Sequence, residues 1–175
     1  MSPHGRGGAL AKTLLFTVLV PATVTIYVPR RILLSRSQED VLRIGPLRYV
    51  GVALVAAGAA VYLWCAWDFA TAGRGTPAPI DPPRSLVVRG LYRHVRNPMY
   101  IGILLLLAGE AMLFQSRSLL GYAGIVFLVF FLFVVAYEER ALARKFGQDY
   151  ERYCDRVPRW IPRLGLDQKE RSEEQ

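Results

Sequence analysis

Residues 119–137 read LLGYAGIVFLVFFLFVVAY, nineteen positions without a charge that run directly into Glu138, Glu139 and Arg140. Nineteen helical residues at ~1.5 Å each rise about 28 Å, close to the ~30 Å of hydrocarbon in a bilayer. Working outward, Tyr49 to Trp67 is a second uncharged run of nineteen. Met99 to Phe114 is sixteen residues broken only by Glu110, and Leu14 to Val28 is fifteen with Pro21 inside it. The reading is an all-α integral membrane helical bundle of about four transmembrane helices, a single domain over 1–175. Its spans are expected at about 10–34, 48–70, 98–114 and 118–138, with a C-terminal amphipathic interfacial helix after them.

Arg6 and Lys12 precede the first apolar stretch as in a signal peptide, but no small-x-small site follows before Pro29-Arg30-Arg31, so a retained helix is expected. The net charge of +8 resides in 22 basic residues lying between apolar spans, which points away from nucleic acid and toward membrane lipids and membrane orientation. With four spans, the N-terminus, the middle loop and the tail share one side and carry 2, 5 and 9 Lys or Arg, against 5 and 1 in the opposite loops. That predicts a multi-pass protein with both termini and the site facing the cytoplasm. The five opposing arginines, Arg30, Arg31, Arg36, Arg43 and Arg48, make the first span the weakest element. Cys65 and Cys154 suggest neither a disulfide nor a metal cluster, and His94 has no ligand spacing, so no metal is expected.

GRGTPAPIDPP, residues 73–83, cannot sustain a helix and belongs in water or against protein. Gln115 to Ser118 joins the third and fourth spans so tightly that they are antiparallel neighbours. Asn97 to Tyr100 and Glu138 to Arg140 are therefore expected at one membrane surface. In the tail, Leu142, Phe146, Tyr150, Tyr153 and Val157 recur at three or four residues, one face of an amphipathic helix.

Asn97-Pro98 reads as an N-cap followed by proline at the first helical position. A helix start with free N–H groups, beside Arg96, suits an anion. Glu138 and Glu139 at a membrane boundary need solvent or partners. Together these residues suit a zwitterionic or cationic guest. On charge pattern alone, an interfacial ion pair from Glu138 or Glu139 to Arg96 or Arg140 is an equal alternative.

GLYRHVRNPMYIG, residues 90–102, and YEERALARKFGQDYERYCDRVPRWIP, residues 137–162, resemble the isoprenylcysteine carboxyl methyltransferase-like family, related to phospholipid N-methyltransferases. The resemblance covers about residues 84–163. It implies S-adenosylmethionine as methyl donor, held by Arg84, Ser85, Leu86, Val87, Tyr92, Arg96, Asn97, Pro98, Met99, Tyr100 and Glu138. Asn97 replaces the family's usual histidine. Val134 stands where the eukaryotic enzymes carry an arginine one turn before the acidic pair, which points to a different lipophilic or small nucleophile as acceptor. Glu139 is the candidate catalytic residue, orienting or deprotonating that acceptor. A sterol-type reductase using NADPH and a non-catalytic membrane partner of the same fold remain as alternatives.

Overall fold

A computed structural model describes residues 19–72, 86 and 88–162, and those residues are helical with no strands. The first helix, α1, occupies 19–34. It widens into a π turn at Thr23–Tyr27 before continuing as Val28–Leu34. Pro29 lacks the N–H that would bond one turn back, and the hydroxyls of Thr23 and Thr25 bond to the carbonyls of Leu19 and Pro21 at 2.7 and 2.8 Å. Both features loosen an α-helical ladder, and the wide turn holds the two threonines and ends just before Pro29.

The second helix, α2, is Val50–Ala72, led in by a 3-10 turn at Gly45–Tyr49. The third, α3, is Pro98–Leu113. The fourth, α4, is Arg117–Phe133 and passes through a second π turn at Val134–Glu138 into α5, Glu139–Phe146. The last described helix is α6, Gln148–Arg156.

Two continuous helices are long and apolar enough to cross a bilayer, Gly45–Asp68 and Arg117–Phe146, while Pro98–Leu113 is a shorter apolar helix. Only 17% and 22% of the two long apolar windows are buried inside the protein, so neither is the core helix of a soluble domain. Leu63, Trp64 and Trp67 on α2 and Ile125, Leu128 and Leu132 on α4 stand exposed. An apolar surface of that extent belongs against lipid. The four spans expected thus resolve into two long helices and a shorter one; α3, at sixteen residues, rises about 24 Å. The start of the span expected at 10–34 lies outside the described residues.

The tail also differs from the single helix expected. The helix does not restart at Glu138 but runs on to Phe146, and Gly147 breaks it at φ 52°, a left-handed value open to glycine. The periodic apolar face is present, carried across the break: Tyr150, Tyr153 and Val157 are buried and pack with Leu86, Leu142 and Phe146. That face is turned onto the protein itself.

Two contacts fix the bundle. Helices α2 and α3 meet through Gly51 and Gly58 on one side and Gly102 and Gly109 on the other. A Cβ on Gly58 would lie 2.6 Å from the Gly102 carbonyl, so the two backbones touch where side chains would hold them apart. Ile103, Leu107, Ala123 and Val126 then form a core with Val24, Tyr62 and Phe130 packed on it, joining α1 to α4. The Tyr122 hydroxyl donates to the Val24 carbonyl at 3.0 Å.

At the α3–α4 turn, buried Asp40 accepts from the Ser116 hydroxyl at 2.5 Å and from the Ser118 amide and hydroxyl at 2.7 Å each. Arg36 donates to the Phe114 carbonyl at 2.8 Å and lies 3.7 Å from Asp40. Burial works to raise the Asp40 carboxyl, but the bonds from Ser116 and Ser118 and the charge of Arg36 outweigh it, leaving the group below its ordinary 3.8. This clasp ties the loop after α1 to the hairpin at the end remote from the glutamates. Arg36, one of the five arginines that opposed the expected orientation, is thereby engaged by protein.

Candidate active site

The tight turn makes α3 and α4 antiparallel, which brings the start of α3 beside the end of α4. The decisive contact is the Tyr100 hydroxyl, in the first turn of α3, donating to Glu138 Oε2 at 2.9 Å. The Asn-Pro junction and the twin glutamates therefore lie at one end of the bundle. The Tyr100 ring packs on Phe130 with centroids 4.6 Å apart and on Trp160 at 6.5 Å, so its hydroxyl is aimed by rings on both sides.

Consecutive helical residues diverge by about 100°. Glu138 and Glu139 accordingly take different partners. Glu139 Oε1 accepts from Arg159 Nε at 2.7 Å and Arg96 Nη1 at 3.1 Å, and its Oε2 accepts from Arg159 Nη2 at 2.8 Å. Both of its oxygens are thus held by guanidinium groups, one pair in the bidentate fork that arginine and carboxylate favour. Glu139, the expected catalytic residue, is thus built into an ion-paired corner at the edge of the recess.

Asn97 sits at the N-cap position of α3, but its side chain makes no cap bond; its amide donates instead to the Arg159 carbonyl at 3.1 Å. The first-turn N–H groups of α3 are left without a side-chain cap, beside the Arg96 Nε, which is buried and has no hydrogen-bond partner among the described residues. Pro98 is fully buried directly behind them.

Tyr92 arrives on a 3-10 turn, Gly90–Arg93. Gly90 has φ 54°, and a Cβ there would run into Asp68 and Trp64 of α2, so only glycine lets the turn close on that helix. Arg89 fastens it further, donating to Asp68 at 3.1 Å. Burial, then the Cys65 thiol bonded to it and the Glu138 carboxylate nearby, push the Tyr92 phenol well above its ordinary 10.0, so it remains a protonated donor. Between these walls is a small recess of about 30 Å³, lined by Arg96, Asn97, Val134, Glu138, Glu139 and Tyr153 among others. A pocket enclosing a whole drug-sized ligand runs roughly 300–1,000 Å³, so the recess is one charged corner of a site and not an enclosing pocket.

Of the residues expected to hold a donor, Tyr92, Arg96, Asn97, Pro98, Tyr100 and Glu138 converge here, and Met99 follows Pro98 in the same first turn. Leu86 packs slightly away, on the Tyr150 and Tyr153 cluster. Arg84, Ser85 and Val87 lie outside the described residues. Sequence reasoning missed Arg159, Cys65, Asp68 and Cys154, whose Sγ accepts from Arg96 Nη1 at 2.8 Å. Arg159 and Cys154 lie inside the 137–162 stretch that resembles the family, but nothing local to either gives it a partner.

Comparison with known families then decides the class. The model of a family described as phospholipid methyltransferase matches residues 47–149, more than half of the chain and all of α2 through α5. The chain belongs to the phospholipid methyltransferase family. Within that family's reach, its relatives are named O- and S-methyltransferases, and it is a methyltransferase by this descent. It is 37% identical over 78 residues to protein-S-isoprenylcysteine O-methyltransferase B of Arabidopsis thaliana, covering 44% of this chain and 39% of that protein. A probable protein-S-isoprenylcysteine O-methyltransferase of Oryza sativa subsp. indica is 26% identical over 164 residues, 91% of this chain and 84% of the relative. Methanethiol S-methyltransferase 2 of Bradyrhizobium diazoefficiens is 34% identical over 74 residues, 42% of this chain and 27% of that enzyme. The chain thus resembles proteins named for a prenylated cysteine and for a small thiol.

Proposed function

We propose that this protein is a multi-pass membrane methyltransferase that binds S-adenosylmethionine at its cytoplasmic end and methylates a lipophilic or small nucleophile, a carboxylate, amine or thiol, reaching it from the bilayer. The observation that carries the reading is the Tyr100–Glu138 pair set across from Arg96 and the uncapped start of α3. Opposite charges on facing walls fit a molecule with a carboxylate at one end and cationic centres near the other. The residues present therefore fit the donor.

Once bound, S-adenosylmethionine supplies a methyl group on a sulfonium centre. The chain's part is to orient and to exclude water. Arg96 Nε and the first N–H groups of α3 face the carboxylate end. Glu138, oriented by the Tyr100 hydroxyl, faces positive charge in surroundings of low dielectric, where the attraction is stronger than in water. Tyr92 closes the α2 side, and Arg84, Ser85, Leu86 and Val87 are assigned to the same donor.

Val134 supports an acceptor other than a prenylcysteine carboxylate. It lines the recess and is 1% exposed, so an apolar wall stands where the resemblance places an arginine. The orientation follows from the tail and middle loop carrying most of the basic residues, with Arg36 removed from the opposing set by its clasp. The family match favours neither a dinucleotide-dependent reductase nor a non-catalytic partner.

The test is incubation of the purified protein with methyl-labelled S-adenosylmethionine and native membrane extract, followed by identification of the labelled product. A labelled lipophilic or thiol product supports the proposal. NADPH-dependent reduction of extract components, with no label transferred, overturns it.

A further inference from the structure

After α6 the chain extends at Val157 and turns back across the site. The Arg96 amide donates to the Pro158 carbonyl at 2.9 Å, and the Asn97 side chain donates to the Arg159 carbonyl at 3.1 Å. Residues 96–97 and 158–159 are thus laid side by side just before α3 begins. From the same residue, the Arg159 guanidinium forks onto Glu139 at the start of α5, with side-chain exposures of 34% and 19%. Arg159 therefore grips both walls of the recess, one through its backbone and one through its side chain. The bonds from Glu139 raise its guanidinium further above its ordinary value, so the cation is permanent.

The geometry points to Arg159 as a positioning residue for the donor site: by fixing Glu139 and Asn97 it holds the start of α3 at a set distance from α5, and it leaves Glu138 as the carboxylate that faces the ligand. This deepens the donor reading above and rests on it. A strap that merely stabilised the fold would need no fork onto one member of the twin glutamates, because the Tyr150, Tyr153 and Val157 cluster already seats the tail.

The experiment uses the full chain in detergent, with Arg159→Ala, Arg159→Lys and, as a surface control, Arg152→Ala, whose pairing with Asp149 is exposed. Two readouts are taken, KM and kcat toward S-adenosylmethionine and amide hydrogen exchange at Arg96 and Ile101. Arg159→Ala should raise the donor KM about tenfold with kcat little changed, since Arg96 still neutralises Glu139 and the pair is partly exposed. Lysine should recover part of the loss, because an ammonium keeps the charge but not the fork. Exchange at both amides should rise in parallel, and Arg152→Ala should match the wild type. A wild-type KM in Arg159→Ala overturns the proposal, as does unchanged exchange. A wild type that takes no donor at all sinks the donor reading instead, and the exchange data then decide the clamp alone.

Discussion

Replacing Glu138 with glutamine removes one charge and almost no volume. The Tyr100 hydroxyl can still donate to the glutamine carbonyl across the 2.9 Å it now spans, and the Tyr100 ring keeps its contacts with Phe130 and Trp160. Exchanging a charged acceptor for a neutral one in that bond costs about 1 kcal/mol. In a chain of 175 residues, that lowers Tm by roughly 2–4 °C. Binding should suffer more. A unit charge about 4 Å away is worth about 4 kcal/mol at an effective dielectric near 20. Because Glu138 is only half-buried, about half of that is expected, a loss of roughly thirtyfold in donor affinity. Isothermal titration of S-adenosylmethionine into detergent-solubilised wild type and Glu138→Gln measures the loss, and thermal unfolding of the same samples measures the stability. Unchanged affinity would refute the argument that this carboxylate faces the donor's positive end, and so would a Tm collapse that accounts for the lost binding.

Other expectations concern the frame that holds the site. Asp40→Ala strands the hydroxyls of Ser116 and Ser118 and the Ser118 amide; a loss of about 3 kcal/mol is expected, seen as a lowered unfolding temperature with donor affinity retained. The Asp40 carboxyl titrates below its ordinary 3.8, so its contribution is complete above that value and disappears as pH falls through the depressed one. Acid unfolding curves should show this arm in the wild type and lack it in Asp40→Asn. Gly58→Ala places a methyl 2.6 Å from the Gly102 carbonyl and 2.7 Å from the Leu106 amide, both backbone, whereas Gly121→Ala meets open space. The first should cost about 1–3 kcal/mol by forcing α2 and α3 apart and should weaken donor binding through Tyr92; the second should do neither, as unfolding and titration would show. Tyr122→Phe removes the 3.0 Å bond to Val24 and should cost about 1 kcal/mol.

The parts of the fold set by local chemistry were legible in the sequence. Uncharged runs located α2 and α4, Pro98 marked where α3 begins, and the brevity of Gln115–Ser118 brought Tyr100 and Glu138 to one end. What escaped was set by partners distant in the chain. Asp40 and Glu39 are adjacent acids, and only the approach of Ser116 and Ser118 makes one of them a buried clasp. Arg159 lies twenty positions beyond Glu139, and nothing in either's neighbourhood announces the pair. The periodic apolar face of the tail carried the expectation of one helix across Gly147, although a glycine there is the ordinary signal for a helix end. The π turn at Val134–Glu138 has no local sequence mark, since such turns arise from packing rather than from propensity.

The most direct test of the central claim is a structure of the protein with S-adenosylhomocysteine bound. The account predicts the amino acid end of that ligand between Arg96 and the first turn of α3, with its sulfur on the Glu138 side of the recess. A ligand seated at the Asp40 end of the bundle, or bound without touching either Tyr100 or Glu138, would contradict it.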